Sequence, residues 1–214
     1  MDLDRSDTLL SNFFKTGKKL NFNKKDTIIK YDDTHSGVYY IESGTVKVVT
    51  HTKSGTERIH YIYKENELFP LSYVLGNKDY DITFVAFTDT VMSRKSIDEF
   101  IKFLKDEPYS MYSIIQQQMQ VYDRIFNLNL APSLRRVITH LQSLADRFGV
   151  KQGDEIVIEL PITIQAFADN IRLSREKTGK ILSDLEDEDC IMFNRRKIIL
   201  YPKNLEIFIK NNFS

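Results

Sequence analysis

The stretch that most constrains this chain is residues 163–182, TIQAFADNIRLSREKTGKIL. Within it, Phe167, Ala168 and Ile171 recur at helical spacing and a second apolar set follows, which predicts two short helices joined by a tight turn. Ser174 suits the N-cap of the second helix, because its hydroxyl can accept a hydrogen bond from a free backbone N–H. A helix pair whose second member opens on a polar, basic face is typical of a helix-turn-helix, in which that second helix enters a DNA major groove.

Charge is unevenly distributed around this stretch. The whole chain has 30 basic and 30 acidic residues and therefore no formal net charge, whereas nucleic-acid-binding domains are often basic. Residues 172–180 carry four basic side chains and one acid: Arg172, Arg175, Glu176, Lys177 and Lys180. An acidic run from Asp184 to Asp189 comes next. Such charges are often only a solvated helix surface, but the helix pair favours an interpretation in which the basic end meets phosphate and the acidic end points elsewhere.

Length and composition exclude several classes of protein. A chain of 214 residues has enough material for one large or two modest domains, and no run approaches the ~18 apolar residues of a membrane-spanning helix. The acidic N-terminus, MDLDRSDTLL, lacks the pattern of a secretory signal, so we expect a cytoplasmic protein without a membrane partner. The single cysteine, Cys190, rules out an intramolecular disulfide and leaves no cysteine cluster for an iron–sulfur or zinc site.

The N-terminal half predicts a β-rich domain. A short helix is expected in residues 1–25, with an apolar stripe of Leu9, Leu10, Phe13 and Phe14. Residues 26–95 then alternate with period two, are rich in Val, Ile, Tyr, Thr and Phe, and are interrupted by turn sequences such as DDTHSG and KSGTE. Many short strands joined in this way indicate an antiparallel sandwich or barrel.

Helical periodicity returns after residue 95. Ser96 is placed to cap a helix through IDEFIKFLKDE, and Pro108 suits the first turn of a longer one. Apolar side chains, with Gln118 among them, recur every three or four residues over 109–130: Met111, Ile115, Met119, Tyr122, Ile125 and Phe126. Such a stripe is usually core, but its length, its place between two domains and its polar neighbours favour a dimerisation helix. Another amphipathic helix is predicted over 133–148, ending before Gly149.

Two further elements flank the helix pair. KQGDEIVIELPIT predicts a turn, a short strand and Pro161 ahead of it. CIMFNRRKIILYP predicts a strand, a turn at 194–197 and a second strand, which together make a wing-like hairpin with Arg195, Arg196 and Lys197 at its tip. NLEIFIKNNF predicts a short terminal helix.

With these elements in order, the chain resembles the Crp/Fnr superfamily of bacterial transcription regulators across nearly its whole length. The segments that carry the resemblance are VYYIESGTVKV at 38–48, NELFPL at 66–71, SLRRVITHLQSLADRFG at 133–149 and ITIQAFADNIRLSREKTGKILSDLEDE at 162–188. The resemblance implies an α+β fold in three domains. These are an N-terminal antiparallel β-roll (double-stranded β-helix or jelly-roll type) with flanking helices in 1–107, a long connecting dimer helix in 108–130, and a C-terminal winged helix-turn-helix in 131–214.

The resemblance also implies base-reading residues. Arg175, Glu176 and Lys180 match the base-reading positions of the family. Arginine can donate two hydrogen bonds to guanine, and glutamate can accept one from cytosine. Lys180 stands in place of a more usual arginine and lacks the planar guanidinium fork, so a phosphate contact suits it equally well.

Other matched residues are expected to position the protein on the DNA backbone. Thr163 and Gln165 match residues that hold the backbone at the start of the first helix. Arg172 stands where the turn usually has glycine, and a left-handed conformation there would cost a non-glycine residue roughly 1–2 kcal/mol. The remaining residues expected to bind DNA are Ser174, Lys177, Arg195 and Arg196.

The effector site implied by the resemblance matches less well. Cyclic-nucleotide-binding members hold the cyclic phosphate with a Gly-Glu start and an Arg-Ser or Arg-Thr pair, whereas this chain has Asn66-Glu67 and, at the second place, Tyr80-Asp81. A carboxylate that faces the phosphate without an arginine beside it would repel the ligand, so cyclic AMP and cyclic GMP are disfavoured. The single cysteine disfavours an iron–sulfur cluster, and the scattered histidines disfavour haem. An unidentified small molecule, or no effector, is left.

The sequence therefore predicts a dimeric, sequence-specific regulator that binds a palindromic double-stranded DNA site and responds to an unidentified effector. As an activator it would also contact RNA polymerase. Control is expected to pass from the β-roll through the 109–130 helix to the recognition helix, as a shift between two spacings of the paired recognition helices.

Two alternatives to a DNA-binding regulator belong to other classes. The first is a small-molecule-binding module whose helix-turn-helix is vestigial or binds protein, which the zero net charge and the acidic run favour. The second is an enzyme. It is disfavoured, because the chain has no Gly-rich phosphate loop, no metal-ligand spacing and no nucleophile elbow.

Overall fold

The structure, a computed structural model, describes residues 3–31, 33, 36–51, 57–76, 81–194 and 197–213. The chain forms two compact units, Met1–Asp123 and Arg124–Ser214. The division lies within helix α4 (Pro108–Leu130), whose bounds coincide with those predicted for the dimerisation segment. The division of the chain into three domains stays a prediction.

The N-terminal unit contains two four-stranded antiparallel sheets. The first comprises β1 (Lys18–Phe22), β3 (Val38–Ser43), β6 (Leu68–Phe69) and β8 (Thr90–Lys95). The second comprises β2 (Thr27–Ile29), β4 (Val46–His51), β5 (Glu57–Tyr63) and β7 (Thr83–Ala86). Their strand orders are β1-β8-β3-β6 and β2-β7-β4-β5, so neighbours in space are often distant in sequence. The predicted antiparallel β-roll is confirmed.

The core between these sheets is aromatic. Phe69 of the first sheet and Phe84 of the second are 0% and 1% exposed, and their rings stack with centroids 5.0 Å apart. Tyr39 also stacks on Phe69, at 5.3 Å. Because strand residues alternate between faces, these rings all point inward, and each buried aromatic contributes ~1.5–3 kcal/mol of hydrophobic stabilisation.

Two helices cover the first sheet. In α1 (Leu3–Lys15), Leu10 and Phe14 of the predicted stripe are buried, and Phe14 stacks on Tyr40 at 5.3 Å. Helix α3 (Ile97–Asp106) begins at the predicted cap, where the Ser96 hydroxyl accepts from the Glu99 N–H and the Glu99 side chain accepts from the Ser96 N–H. This capping box satisfies two otherwise unpaired donors.

Two elements of this unit differ from the sequence prediction. Strand β1 lies within residues 1–25, for which the sequence predicts only a short helix, and it is held by pairing with β8, from Lys18 opposite Arg94 to Phe22 opposite Thr90. A short helix, α2 (Leu71–Gly76), interrupts the strand-like region. Six residues are too few to establish a helical period, so a period-two interpretation cannot detect such a turn.

Helix α4 has two different faces. Ser110, Ser113 and Ile114 are buried in the N-terminal unit. The opposite face carries the predicted stripe, and its described apolar members are exposed: Met111, Ile115, Met119 and Tyr122. The side chains of Ile125 and Phe126 lie outside the described part of the chain.

The C-terminal unit packs helices against a third antiparallel sheet of order β11-β12-β10-β9. Its strands are β9 (Gly149–Gln152), β10 (Glu155–Ile158), β11 (Ile191–Phe193) and β12 (Ile198–Leu200). Its flanking helices are α5 (Ser133–Phe148) and α8 (Pro202–Phe213). Gly149 ends α5 with an ordinary negative φ, and a Cβ there would lie 2.3 Å from the Ala145 carbonyl oxygen. Glycine is therefore required at this position by close packing.

Candidate nucleic-acid interface

The first helix of the predicted pair, α6 (Ile164–Ile171), begins with a side-chain cap. Thr163 Oγ1 accepts a hydrogen bond from the Ala166 N–H at 3.1 Å, which satisfies a donor at the helix start that has no intrahelical partner. Thr163 is exposed, and its hydroxyl hydrogen is not used by the cap. The same group can therefore hold the helix and donate to a phosphate oxygen.

The turn after α6 is built around a left-handed residue. Arg172 has φ 55° and ψ 45°, the region that glycine enters most readily. Its N–H donates to the Asp169 carbonyl at 3.3 Å, and the Leu173 N–H donates to the Ala168 carbonyl at 3.1 Å. This pair of bonds is a Schellman motif. The resemblance places Arg172 at a turn position where the family usually has glycine, and its left-handed geometry is the one expected at that position.

The second helix, α7 (Arg175–Asp187), is capped and packed as predicted. Ser174 Oγ accepts from the Lys177 N–H at 3.2 Å. Thr178, Leu182 and Leu185 are buried and recur at intervals of four and three residues. They form the face that packs into the unit, where α7 contacts both α5 and α6.

The residues predicted to read bases are exposed along the first half of α7. Since an α-helix turns about 100° per residue, Glu176 and Lys180 project opposite the buried face and Lys177 lies beside them, whereas Arg175, the first residue of the helix, lies on the side of Leu182. All four are exposed. Within the described part of the chain, none of them forms an ion pair. The helix thus presents three cations and one carboxylate whose hydrogen-bonding groups are available to an external partner.

Gln165 is also exposed, and sequence reasoning missed the neighbour that orients its amide. Its Nε2 donates to Asp169 Oδ1 at 2.9 Å, one helical turn away. The Gln165 carbonyl oxygen and its second amide hydrogen are left for other partners. A Gln–Asp pair at i, i+4 is a recognisable spacing, so this contact could have been found from the sequence.

The predicted wing follows α7. Between β11 and β12, the Asn194 N–H donates to the Lys197 carbonyl at 3.1 Å and the Lys197 N–H donates to Asn194 Oδ1 at 3.0 Å. These bonds close the hairpin turn at the predicted place. Arg195 and Arg196, the predicted DNA-binding residues of its tip, lie outside the described residues.

The acidic end of α7 has structural roles. Glu186 Oε1 accepts from the Phe193 N–H at 2.7 Å, which joins the end of the helix to the wing. Asp189 is left-handed with φ 50°, and the Cys190 N–H donates to the Leu185 carbonyl at 2.9 Å. Burial raises the pKa of the Cys190 thiol, and the nearby acidic side chains raise it further. A thiol held protonated in this way is a poor nucleophile and a poor metal ligand.

The region predicted to hold an effector has its own hydrogen bonds. Asn66, at the place of the family's glycine, is left-handed with φ 66°, and the Tyr40 hydroxyl donates to its Oδ1 at 2.7 Å. Glu67 Oε2 accepts from the Lys64 N–H at 3.0 Å. Asp81 is exposed, and Tyr80 lies outside the described residues. The side chains of Asn66 and Glu67 are therefore both engaged in hydrogen bonds within the β-roll.

The described histidines have different surroundings. The Thr50 hydroxyl and His60 Nε2 are 2.8 Å apart, and the His140 ring packs edge-on against Phe167 with centroids 4.6 Å apart. His51 is exposed, and His35 lies outside the described residues. Over the described residues, no group of three or more His, Cys, Asp or Glu side chains is placed to hold a metal ion. In that same part of the chain, no helix combines the length and apolar character needed to span a membrane.

Comparison with known proteins supports a DNA-binding role for this helix-turn-helix. A cyclic nucleotide-binding domain profile matches residues 19–107, and a Crp-like helix-turn-helix domain profile matches residues 135–207. The chain is 28% identical over 186 residues to the global nitrogen regulator of Nostoc sp., covering 84% of this chain and 83% of that protein. It is 25% identical over 179 residues to the HTH-type transcriptional regulator ArcR of Staphylococcus aureus, covering 80% of this chain and 75% of that protein.

The fold has solved counterparts. A CRP/FNR-family transcriptional regulator from Thermus thermophilus matches with a TM-score of 0.68 at 19% identity, covering 90% of this chain and 98% of that one. The two domain profiles fall one in each compact unit, and regulators of this family bind DNA and act as dimers. The chain belongs to the Crp/Fnr superfamily and is a DNA-binding transcription regulator.

Proposed function

We propose that this regulator reads a palindromic operator through α7, as a homodimer joined along α4. The observation that carries the proposal is the first half of α7, where Arg175, Glu176 and Lys180 are exposed on a helix that Ser174 caps. Two such helices related by a two-fold axis would read two half-sites about one turn of DNA apart.

The base contacts follow from the chemistry of each side chain. The Arg175 guanidinium would donate to guanine O6 and N7, and the Glu176 carboxylate would accept from cytosine N4, each worth ~1–3 kcal/mol of discrimination against the wrong base. Lys180 carries the charge without the planar fork. We assign Lys180 to a phosphate at the edge of the groove.

The remaining contacts position the protein without reading sequence. Thr163 and Gln165 at the start of α6 would donate to one phosphate, and Ser174 and Lys177 to another. Arg195 and Arg196 would extend the contact from the wing. Because each neutralised phosphate releases counterions, affinity should fall steeply with salt concentration.

The exposed face of α4 supports dimerisation. Met119 and Tyr122 are 54% and 60% exposed, and with Met111 and Ile115 they form one continuous apolar stripe opposite the buried face. Leaving such a stripe in water is unfavourable. Pairing the stripe with its copy in a second chain would bury it in the manner of a coiled coil.

For the β-roll we propose a sensor that takes neither a cyclic nucleotide, an iron–sulfur cluster nor haem. The stacked rings of Phe69 and Phe84 occupy its interior. The Asn66 side chain accepts from the Tyr40 hydroxyl and the Glu67 carboxylate accepts from the Lys64 N–H, and no arginine faces them in the alignment with the family. A different small molecule, or none, would shift the dimer between two recognition-helix spacings.

The remaining parts of the proposal concern the cell. A DNA-binding regulator of this family would act in the cytoplasm, without a catalytic activity of its own. If it activates transcription, it would contact RNA polymerase from its DNA-bound position. Its direction of control follows from where its operator lies relative to the promoter.

Selection from random duplex DNA tests the base-reading assignment. The wild-type protein should enrich a palindrome. Arg175→Ala should lose preference at one base pair of each half-site, because the substitution removes the ~1–3 kcal/mol by which the wild type disfavours the wrong base there. Lys180→Ala should weaken all sequences alike, and Lys151→Ala, on exposed strand β9, is the matched control for loss of a cation. An Arg175→Ala protein that keeps the full preference and only binds more weakly would overturn the assignment.

A further inference from the structure

We propose a second ligand site in the C-terminal unit, for a small organic anion with an apolar body. A cavity of about 570 Å³ lies between α5 and α8, which is within the ~300–1,000 Å³ range of small-molecule pockets. None of its lining residues in the described part of the chain belongs to the β-roll or to the proposed DNA-contacting set. The site is therefore independent of the operator contacts proposed above.

The walls of this cavity come from one face of each helix and from Ala131 and Pro132, just before α5. On α5, Arg135, Ile138, Thr139 and Gln142 follow one another at i, i+3, i+4 and i+7, which places them in one row. On α8, Ile209 and Phe213 lie one turn apart. Ile138 is 3% exposed and forms part of the core beneath the cavity. The floor and one wall are thus apolar, and the rim is polar.

The rim carries a cation that is held in place by an aromatic ring. The Arg135 guanidinium lies over the Phe213 ring, 4.9 Å from its centroid. Such a cation–π contact fixes the plane of the guanidinium without using its N–H donors. In the described part of the chain Arg135 forms no ion pair, and no acidic side chain lines the cavity. The N–H donors of Arg135 are therefore oriented and remain available to a ligand.

These features select the chemistry of the ligand. A carboxylate matches the bidentate fork of Arg135, and Thr139 and Gln142 can donate further hydrogen bonds on the same row. A flat apolar body would pack against Ile209 and Phe213. Because α5 also packs against α6 and α7, a ligand bound here would stabilise the unit that carries the recognition helix.

The test uses the full-length protein with isotope-labelled isoleucine methyl groups, observed by NMR. The probe is naphthoate, with naphthalenemethanol as its uncharged counterpart. We expect naphthoate to shift the methyl resonances of Ile138 and Ile209 saturably, with Ile59 of the β-roll unmoved. The uncharged probe should bind about tenfold more weakly or worse, because it lacks the charge-assisted pair with arginine.

Three variants make the assignment falsifiable. Arg135→Gln and Gln142→Glu change exposed side chains and should each weaken naphthoate binding at least about tenfold, whereas Arg147→Gln removes a cation from the same helix outside the cavity and should not. The proposal is overturned by equal affinity for both probes, by shifts that persist unchanged in Arg135→Gln, by equal shifts at Ile59, or by no shift at millimolar naphthoate.

Discussion

The Leu173 N–H donates to the Ala168 carbonyl oxygen at 3.1 Å, which closes α6 and directs the chain into the recognition helix. This bond requires Arg172, between the helix and Leu173, to stay at φ 55°, a conformation that costs a non-glycine residue ~1–2 kcal/mol. The turn thus holds strain that a glycine would relieve.

We expect Arg172→Gly to have a free energy of unfolding about 1 kcal/mol higher than Arg172→Ala, since both lose the guanidinium but only glycine loses the Cβ. Urea denaturation monitored by circular dichroism provides the measurement. Equal stability of the two variants would show that the turn is not strained.

Thr178 offers a second test of the recognition-helix packing. It is 0% exposed, and its Oγ1 has no hydrogen-bond partner among the described residues. A buried hydroxyl without a partner costs ~1–3 kcal/mol, so Thr178→Val should raise the free energy of unfolding by about 1 kcal/mol. Thr178→Ser keeps the hydroxyl and loses a methyl group, and it should lower that free energy. A destabilised valine variant would mean that the hydroxyl is satisfied in solution. Operator affinity of Thr178→Val should match the wild type, because the side chain has no exposed surface.

The dimer proposed along α4 depends on an exposed apolar stripe. Met119→Glu places a charge in that stripe, and two copies would face each other across a two-fold interface, so we expect a dimer dissociation constant at least about a hundredfold higher. Gln120→Glu adds the same charge at an exposed polar position and serves as the control. Sedimentation velocity over a concentration series measures both. If Met119→Glu remains as dimeric as Gln120→Glu, the stripe is not the interface.

The capping box of α3 predicts a pH dependence. The Ser96 hydroxyl, the Ser96 N–H and Lys95, in that order of effect, hold the pKa of Glu99 at about 2. Because this pKa is below its unfolded value of about 4.3, the stabilisation is complete above that value and is lost as the pH falls toward 2. Glu99→Gln does not titrate, so the stability difference between wild type and Glu99→Gln should shrink across this window. A Glu99 carboxyl that titrates near pH 4.3 by NMR would contradict the assignment.

The parts of the recognition surface that could be predicted from the sequence depend on local interactions. Thr163 and Ser174 cap helices through hydrogen bonds to residues three positions later, and the buried face of α7 follows from the period of its own side chains. The orientation of the Gln165 amide by Asp169 is equally local and was available from the spacing. Short-range interactions of this kind can be predicted without knowledge of the rest of the fold.

Long-range interactions decided what the sequence could not. Strand β1 exists because β8, from the other end of the domain, pairs with it, and neither strand specifies that partner by its own pattern. The helical period predicts an apolar stripe on α4, but it does not say which face of the helix is buried. Only packing shows that Ser110, Ser113 and Ile114 form the buried face of α4, so that Met119 and Tyr122 of the stripe are exposed. The cavity between α5 and α8 likewise requires Arg135 and Phe213 to meet across the fold. The sequence by itself determined the helix-turn-helix, because caps and periods act within a few residues, and its base-reading candidates are what the resemblance to the family implies. Tertiary structure alone decided the sheet order, the exposed stripe and the α5–α8 cavity, because those depend on contacts between segments far apart in the chain.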